Sequence, residues 1–271
     1  MKISIWLVIT LFITATTAQA AFINGGFETG DTTGWTQDGG SYYGGEANGP
    51  NGESGYVYTG DPGLSAIVGQ GTDPISGLPT VYNGTYAARV NNYPNGYPFS
   101  TFSQTVVWTD PKINFDWMAV LEEPSNYHPP IDEPQFTVIL HDNTTNIDLY
   151  NVAFSTIQMQ QQYPLLVGIS NADPNSTDSQ WYYTPWMNIT LDTSAVTGDS
   201  LTLTVIGSAC GWGGHGGYAY VDAIDFLTLP PNPGVTPAFP ITPEGPVPVP
   251  ATFLLLGSGL LGLAGFRKKI K

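Results

Sequence analysis

Several groups of side chains in this sequence are of types that could do chemistry. Cys210 and His215 bound the segment Cys210-Gly211-Trp212-Gly213-Gly214-His215. A thiol near an imidazole is the pairing of a cysteine nucleophile with its base. No third residue stands ready to orient the histidine, and the glycines read as a tight loop before a final strand. Glu122-Glu123, Asp132-Glu133 and Asp116 could be argued as the two carboxyls of a glycoside hydrolase. Neighbouring residues on a strand point to opposite faces, so adjacency does not make a paired cleft. His128 and His141 lie apart from His215, without the spacing of a zinc site. Trp181-Tyr182-Tyr183, Trp186, and Trp212 with Tyr218 could serve as stacking platforms for sugar rings. Aromatic side chains also fill sandwich cores, and Trp108 and Trp117, within apolar runs, read that way. Tyr93, Tyr97 and Tyr127 fall in expected loops.

The elements that would position these groups read as strands. Leu201, Leu203 and Val205 alternate with Thr202 and Thr204, the pattern of a half-buried strand. Phe136, Val138 and Leu140 share one face, with Thr137 and Ile139 on the other. Thr85 to Val90 and Thr101 to Val107 are further strands, Lys112 to Val120 is a longer apolar run, and Tyr218 to Leu227 closes the domain. Asp38 to Gly55 and Asp61 to Pro79 read as long loops. About eight to ten strands without long helices imply a β-sandwich.

Charge narrows the partners. The whole chain carries a formal −15, but Lys2, Arg267, Lys268, Lys269 and Lys271 lie at its ends. Between them stand all 22 acids and only Arg89 and Lys112, a formal −20. Such a surface repels nucleic acid and anionic membranes and attracts divalent cations. Cys210 is the single cysteine, so no intrachain disulfide is available.

The two ends read as export signals. Lys2, the apolar run Ile3 to Ile13 and Ala18-Gln19-Ala20 form a signal peptide over 1–20, cleaved before Ala21. A domain follows over 21–229. Nine prolines in the 21 residues from Pro230 to Pro250 make a semi-rigid extended spacer, assigned to 230–247. Ala251 to Phe266 is a 16-residue, largely apolar helix candidate before Arg267-Lys268-Lys269-Ile270-Lys271. At about 1.5 Å per residue it reaches roughly 24 Å, short of a roughly 30 Å hydrocarbon core. Its basic end marks the cytoplasmic side. This suits a transmembrane stop that holds the chain until a processing enzyme cuts it.

Residues 248–271, with Pro248-Val249-Pro250 before the apolar helix and basic end, resemble the PEP-CTERM sorting signal of bacterial envelope proteins. Val249 stands where that signal usually has glutamate. The resemblance implies a sorting enzyme of the exosortase type as partner, membrane contact through the C-terminal helix before processing, and a destination in the envelope, at the surface or in the extracellular matrix.

Asn24-Gly25-Gly26-Phe27-Glu28-Thr29-Gly30 with Gly34-Trp35, and the closing Tyr218-Ala219-Tyr220-Val221-Asp222, look like the galactose-binding-like jelly roll. That resemblance implies an all-β jelly-roll sandwich with a structural calcium ion between the first and last strands. Glu28 and Asp222 are the matching ligands, carboxylates of the kind calcium prefers. The expected function is that of a non-enzymatic exported protein associated with exopolysaccharide or binding carbohydrate. A carbohydrate-active enzyme and a purely structural matrix protein are the alternatives.

Overall fold

The computed structural model describes residues 21–45, 47–92, 96–123, 128–164, 167–171, 180–225 and 231–235. The signal peptide, Pro248-Val249-Pro250 and the C-terminal helix candidate lie outside them. Among the described residues, no helix is long and apolar enough to cross a membrane.

The strands are β1 (Thr36–Tyr42), β2 (Tyr56–Tyr58), β3 (Ala66–Gly69), β4 (Tyr86–Val90), β5 (Pro98–Val107), β6 (Lys112–Glu123) and β7 (Gln135–Asp142). After them come β8 (Ile147–Ser155), helix α1 (Thr156–Gln162), β9 (Gly168–Ser170), β10 (Gln180–Tyr183), β11 (Met187–Asp192), β12 (Ser200–Ser208) and β13 (Gly217–Asp222). They form two antiparallel sheets, ordered β2-β1-β5-β12-β7-β8 and β3-β4-β13-β6-β10-β9, with β11 also paired to β6. The all-β jelly-roll sandwich expected from the sequence is the fold. Among the described residues the one α-helix is α1, which starts with a capping box in which the Ser155 side chain and Gln158 exchange hydrogen bonds.

The alternating strands supply the core between the sheets. Leu201, Leu203 and Val205 of β12 and Phe136, Val138 and Leu140 of β7 face Ile113, Phe115, Trp117, Ala119 and Leu121 of β6. Trp117 bridges the layers, its ring 4.9 Å from Phe136 and 4.8 Å from Phe154 of the opposite sheet. The other face of β6 is buried too. Met118 and Val120 join Tyr218 and Tyr220 of β13 in a second cluster with Ile75, Val81, Tyr82, Trp181 and Trp186. Burial on both faces is why β6 reads as an apolar run instead of alternating.

The segment after β3 folds over that second face and is pinned by Asp73, which accepts from the hydroxyls of Tyr218 at 2.7 Å and Tyr220 at 2.9 Å. The stretches read as long loops thus contain strands β1 and β3. Glycine hides β1: a Cβ on Gly40 would sit 2.1 Å from the Val57 carbonyl oxygen, so only glycine fits this close pairing. The chain's contact with the sandwich also runs past residue 229. Asn232 donates to the Tyr82 carbonyl at 2.7 Å, and Val235 is buried in the second cluster. The proline-rich segment therefore begins as part of the domain.

Trp117 is fully buried, and its indole N–H has no hydrogen-bond partner. Truncation to alanine should cost about 3–5 kcal/mol of unfolding free energy. Trp117→Phe should cost less, because it removes the unpaired donor while keeping most of the ring. Urea denaturation checks the order, and a Trp117→Ala variant within about 1 kcal/mol of wild type would contradict the layer-bridging role.

Candidate functional site

The start of the described chain closes on its last strand. The Ile224 N–H donates to the Gly25 carbonyl at 3.0 Å, and a Cβ on Gly25 would sit 2.3 Å from the Ile224 carbonyl oxygen. Here Glu28 and Asp222 reach the same turn. Glu28 accepts from the Thr85 N–H at 2.9 Å and the Tyr86 N–H at 3.1 Å. Asp222 accepts from Tyr82 N–H at 3.0 Å, Asn83 N–H at 2.9 Å and Ala223 N–H at 2.6 Å. The residues beside these acids, Phe27 (φ 57°) and Ala223 (φ 51°), are held in the left-handed region, a conformation that costs roughly 1–3 kcal/mol each.

The two acids differ in exposure. Glu28 is exposed, while Asp222 is 1% exposed. Burial pushes the Asp222 carboxyl up to about 8, against the pull of its three N–H donors, and Glu28 nearby adds to the rise. Asp116 lies opposite Asp222 in the β6–β13 register, and burial pushes it up to about 7. Among the described residues no ion pair relieves any of these acids.

A second group forms at the other end of β13, where the loop before this strand meets the loops after β1, before β5 and before β7. Asp132 holds them together. Its carboxylate accepts from the Gly45 N–H at 2.7 Å and the Trp212 indole N–H at 3.0 Å, and its carbonyl accepts from the Gly211 N–H at 2.8 Å. The oriented Trp212 is 46% exposed. Tyr97, also exposed, packs under the adjacent Gly213 and lies 5.2 Å from the ring of Tyr43. Trp212, Tyr97 and Tyr43 make an aromatic ledge.

Beneath the ledge, His128 lies 4.6 Å from the Trp212 ring and 5.3 Å from the His215 ring, and the His215 Nδ1 is 3.3 Å from the Cys210 Sγ. The structure thus adds to Cys210 and His215 a histidine 82 positions earlier in the chain, a meeting that sequence spacing gave no sign of.

Other sequence candidates fall into the interior. Trp181, Trp186 and Tyr218 are core residues, which rules them out as sugar platforms. Glu122 is buried and accepts from the Gly216 N–H at 2.6 Å, while Glu123 binds the Gln160 amide at 3.0 Å. Asp132 and Glu133 likewise diverge, Glu133 accepting from the Thr156 hydroxyl at 2.7 Å. His141 pairs with Asp148 at 2.7 Å, away from both groups.

The raised acids set a pH dependence. An aspartate near 3.9 in the unfolded chain but near 7 or 8 in the fold binds extra protons on folding. Stability conferred by the neutral carboxyls is present below about pH 4 and lost as pH rises to about 8. In chelator and low salt, the melting temperature should fall from pH 5 to pH 9, and Asp116→Asn should flatten the fall below pH 7. A wild-type curve that rises over that range would contradict the burial of these acids.

Among curated proteins, none matches this sequence. Solved structures that resemble the fold include the TmCBM61 module in complex with beta-1,4-galactotriose, at 14% identity and TM-score 0.38, covering 75% of this chain and 95% of that one. A carbohydrate-binding module specific for non-crystalline cellulose, CBM28, aligns at 11% identity and TM-score 0.33, over 75% of this chain and 92% of that one. The enzymatically active domain of bacteriophage CBA120 tailspike protein 4 aligns at 9% identity and TM-score 0.33, over 74% of this chain and 20% of that one. At the C-terminal end, residues 246–269 match the PEP-CTERM protein-sorting motif. The chain carries that sorting motif behind an all-β sandwich, and it is an exported, surface-directed protein.

Proposed function

We propose that this is a non-enzymatic envelope or surface protein, processed through its C-terminal signal by an exosortase-type enzyme, with the sandwich associating with exopolysaccharide. The observation that carries the reading is the sorting motif at 246–269. A signal peptide over 1–20 starts export, and the apolar run Ala251 to Phe266 holds the chain in the membrane until processing near Pro248-Val249-Pro250. The aromatic ledge supports the carbohydrate part. The indole of Trp212 is oriented by Asp132 and exposed, so it can stack on the apolar face of a sugar ring while nearby polar groups take its hydroxyls. Of the acids that could form a glycosidase pair, Asp116, Glu122, Asp132 and Glu133 lie buried and Glu123 half-buried, each bonded to a different partner, which favours binding over hydrolysis.

Deletion of Pro248 to Lys271 in the producing cell should release or misplace the protein. Normal localisation and maturation of the truncated chain would overturn the sorting reading. On a glycan array, Trp212→Ala should lose the binding of the wild type. A wild type that binds no glycan leaves the purely structural alternative in place of the carbohydrate reading.

Calcium belongs to this reading as a structural ion. Glu28 and Asp222 would hold it. They fit a cation because both carboxylates meet one turn, neither has a basic partner among the described residues, and Asp222 is denied water. The ion would supply the positive charge that the ionised Asp222 lacks. At roughly a hundredfold excess over its dissociation constant, calcium should add about 2.7 kcal/mol, or about 5–10 °C in melting temperature. The gain should grow with pH as Asp222 ionises, and Asp222→Ala should abolish it while Asp61→Ala, on an exposed turn, should not. An unchanged melting curve at pH 8 with chelator and with calcium would refute the site.

A further inference from the structure

We propose that His128, Cys210 and His215 form a three-ligand site, two imidazoles and one thiolate, for a zinc-type transition-metal ion. Their ligand atoms all lie within 4.8 Å of one another. A tetrahedral zinc ion has Zn–S near 2.3 Å and Zn–N near 2.0–2.1 Å, which places sulfur and nitrogen about 3.5 Å apart. The Cys210 Sγ and His215 Nδ1 already stand at 3.3 Å. Closing the rest of the triangle asks for movements on the order of 1 Å, within side-chain reach.

The second observation concerns His128. It is 8% exposed, and its Nδ1 is buried with no hydrogen-bond partner. A buried, unsatisfied ring nitrogen is costly unless something binds it. A metal ion drawn by the neighbouring thiol and imidazole would satisfy it. A Cys–His hydrogen bond by itself explains only two of the three groups.

The surroundings suit a cation. Both histidines are pushed below their usual range by burial, so they stand as neutral ligands at pH 7. Burial raises the Cys210 thiol, but the backbone N–H groups of Trp212, His215 and Gly213 act the other way, the arrangement a bound thiolate needs. Glu122, Asp132 and Glu133 add negative potential around the cluster. Thiolate and imidazole together select zinc-class ions over calcium, which takes oxygen ligands. Three protein ligands leave a fourth position open for water or an outside donor. Binding would release the thiol proton and tie the loop before β7 to the loop before β13, directly under Trp212.

The test uses the full purified chain and Zn(II) alone. Equilibrium dialysis with metal analysis should find one zinc per chain, unaffected by millimolar calcium. Cys210→Ser and His128→Gln should each weaken binding by more than about tenfold, comparable to the loss when outer support of a metal site is removed or larger. Asp222→Ala should leave it unchanged, which separates this site from the calcium reading. Co(II) bound by the wild type should show a thiolate-to-metal charge-transfer band that Cys210→Ser lacks. This spectrum is read on the unmutated protein and does not depend on the variants folding. Absence of stoichiometric zinc, or bound cobalt without the thiolate band, would overturn the proposal. Loss of glycan binding with zinc binding intact would bear on the ledge alone.

Discussion

Strand β6 is buried on both faces, and most of the molecule is arranged to make that possible. Its inward side chains, from Ile113 to Leu121, need a second sheet to cover them, and β7, β8 and β12 provide it. Its outward side chains, Met118 and Val120, need a lid, which the segment between β3 and β4 and the indoles of Trp181 and Trp186 supply. That double burial removes apolar area from water at roughly 25 cal/mol per Å² on each face. It also carries polar groups inward with it. Asp116 and Glu122 lie on the same outward face of β6, six residues and so about 20 Å apart. Each now sits under cover at one of the two candidate sites.

Those two ends answer the same electrostatic problem differently. With 22 acids against Arg89 and Lys112 in the stretch between the terminal cations, buried carboxylates cannot all find a cationic side chain. At one end Glu28 and Asp222 spend their oxygens on backbone N–H groups of the Tyr82–Tyr86 turn. At the other, Asp132 and Glu122 do likewise with Gly45 and Gly216. Backbone donors pull Asp222 down and the Asn188 amide pulls Asp116 down, but loss of water on burial outweighs both and pushes these two carboxyls up. The ion proposed for each end would offset part of the acidic charge there. The ligand chemistry differs, hard oxygen at one end and nitrogen with sulfur at the other.

What was legible in the sequence follows from burial. The sequences of β7 and β12 break their apolar residues with Thr137, Thr202 and Thr204, and their inward residues could be named from that pattern although the outward ones are buried or half-buried too. The largely apolar run of β6 and the core roles of Trp108 and Trp117 were legible for the opposite reason, that apolar residues occupy both faces, with Asn114 and Asp116 the polar exceptions between Ile113 and Leu121. β1 was not, because close pairing demanded glycines that look like a turn. Nor could composition decide which aromatics are exposed: Trp181 and Trp212 look alike in sequence, and only the lid over β6 makes one core and leaves the other in solvent. The meeting of Glu28 and Asp222 was reached through short motifs at the two ends of the domain. His128 could not be joined to Cys210 in that way, since the loops that bring them together have no pattern of their own and are held by Asp132.

The topology also keeps the two ends apart. β13 runs from Gly217, beside the Trp212 loop, to Asp222, beside the calcium candidates. At about 3.3 Å per residue the five steps from Gly217 to Asp222 put these two ends roughly 17 Å apart. The chain past the domain packs at the second end, where Asn232 donates to the carbonyls of Tyr82 and Gly84. The described residues 231–235 thus lie at the Asp222 end, and the aromatic ledge lies at the far end of the same strand.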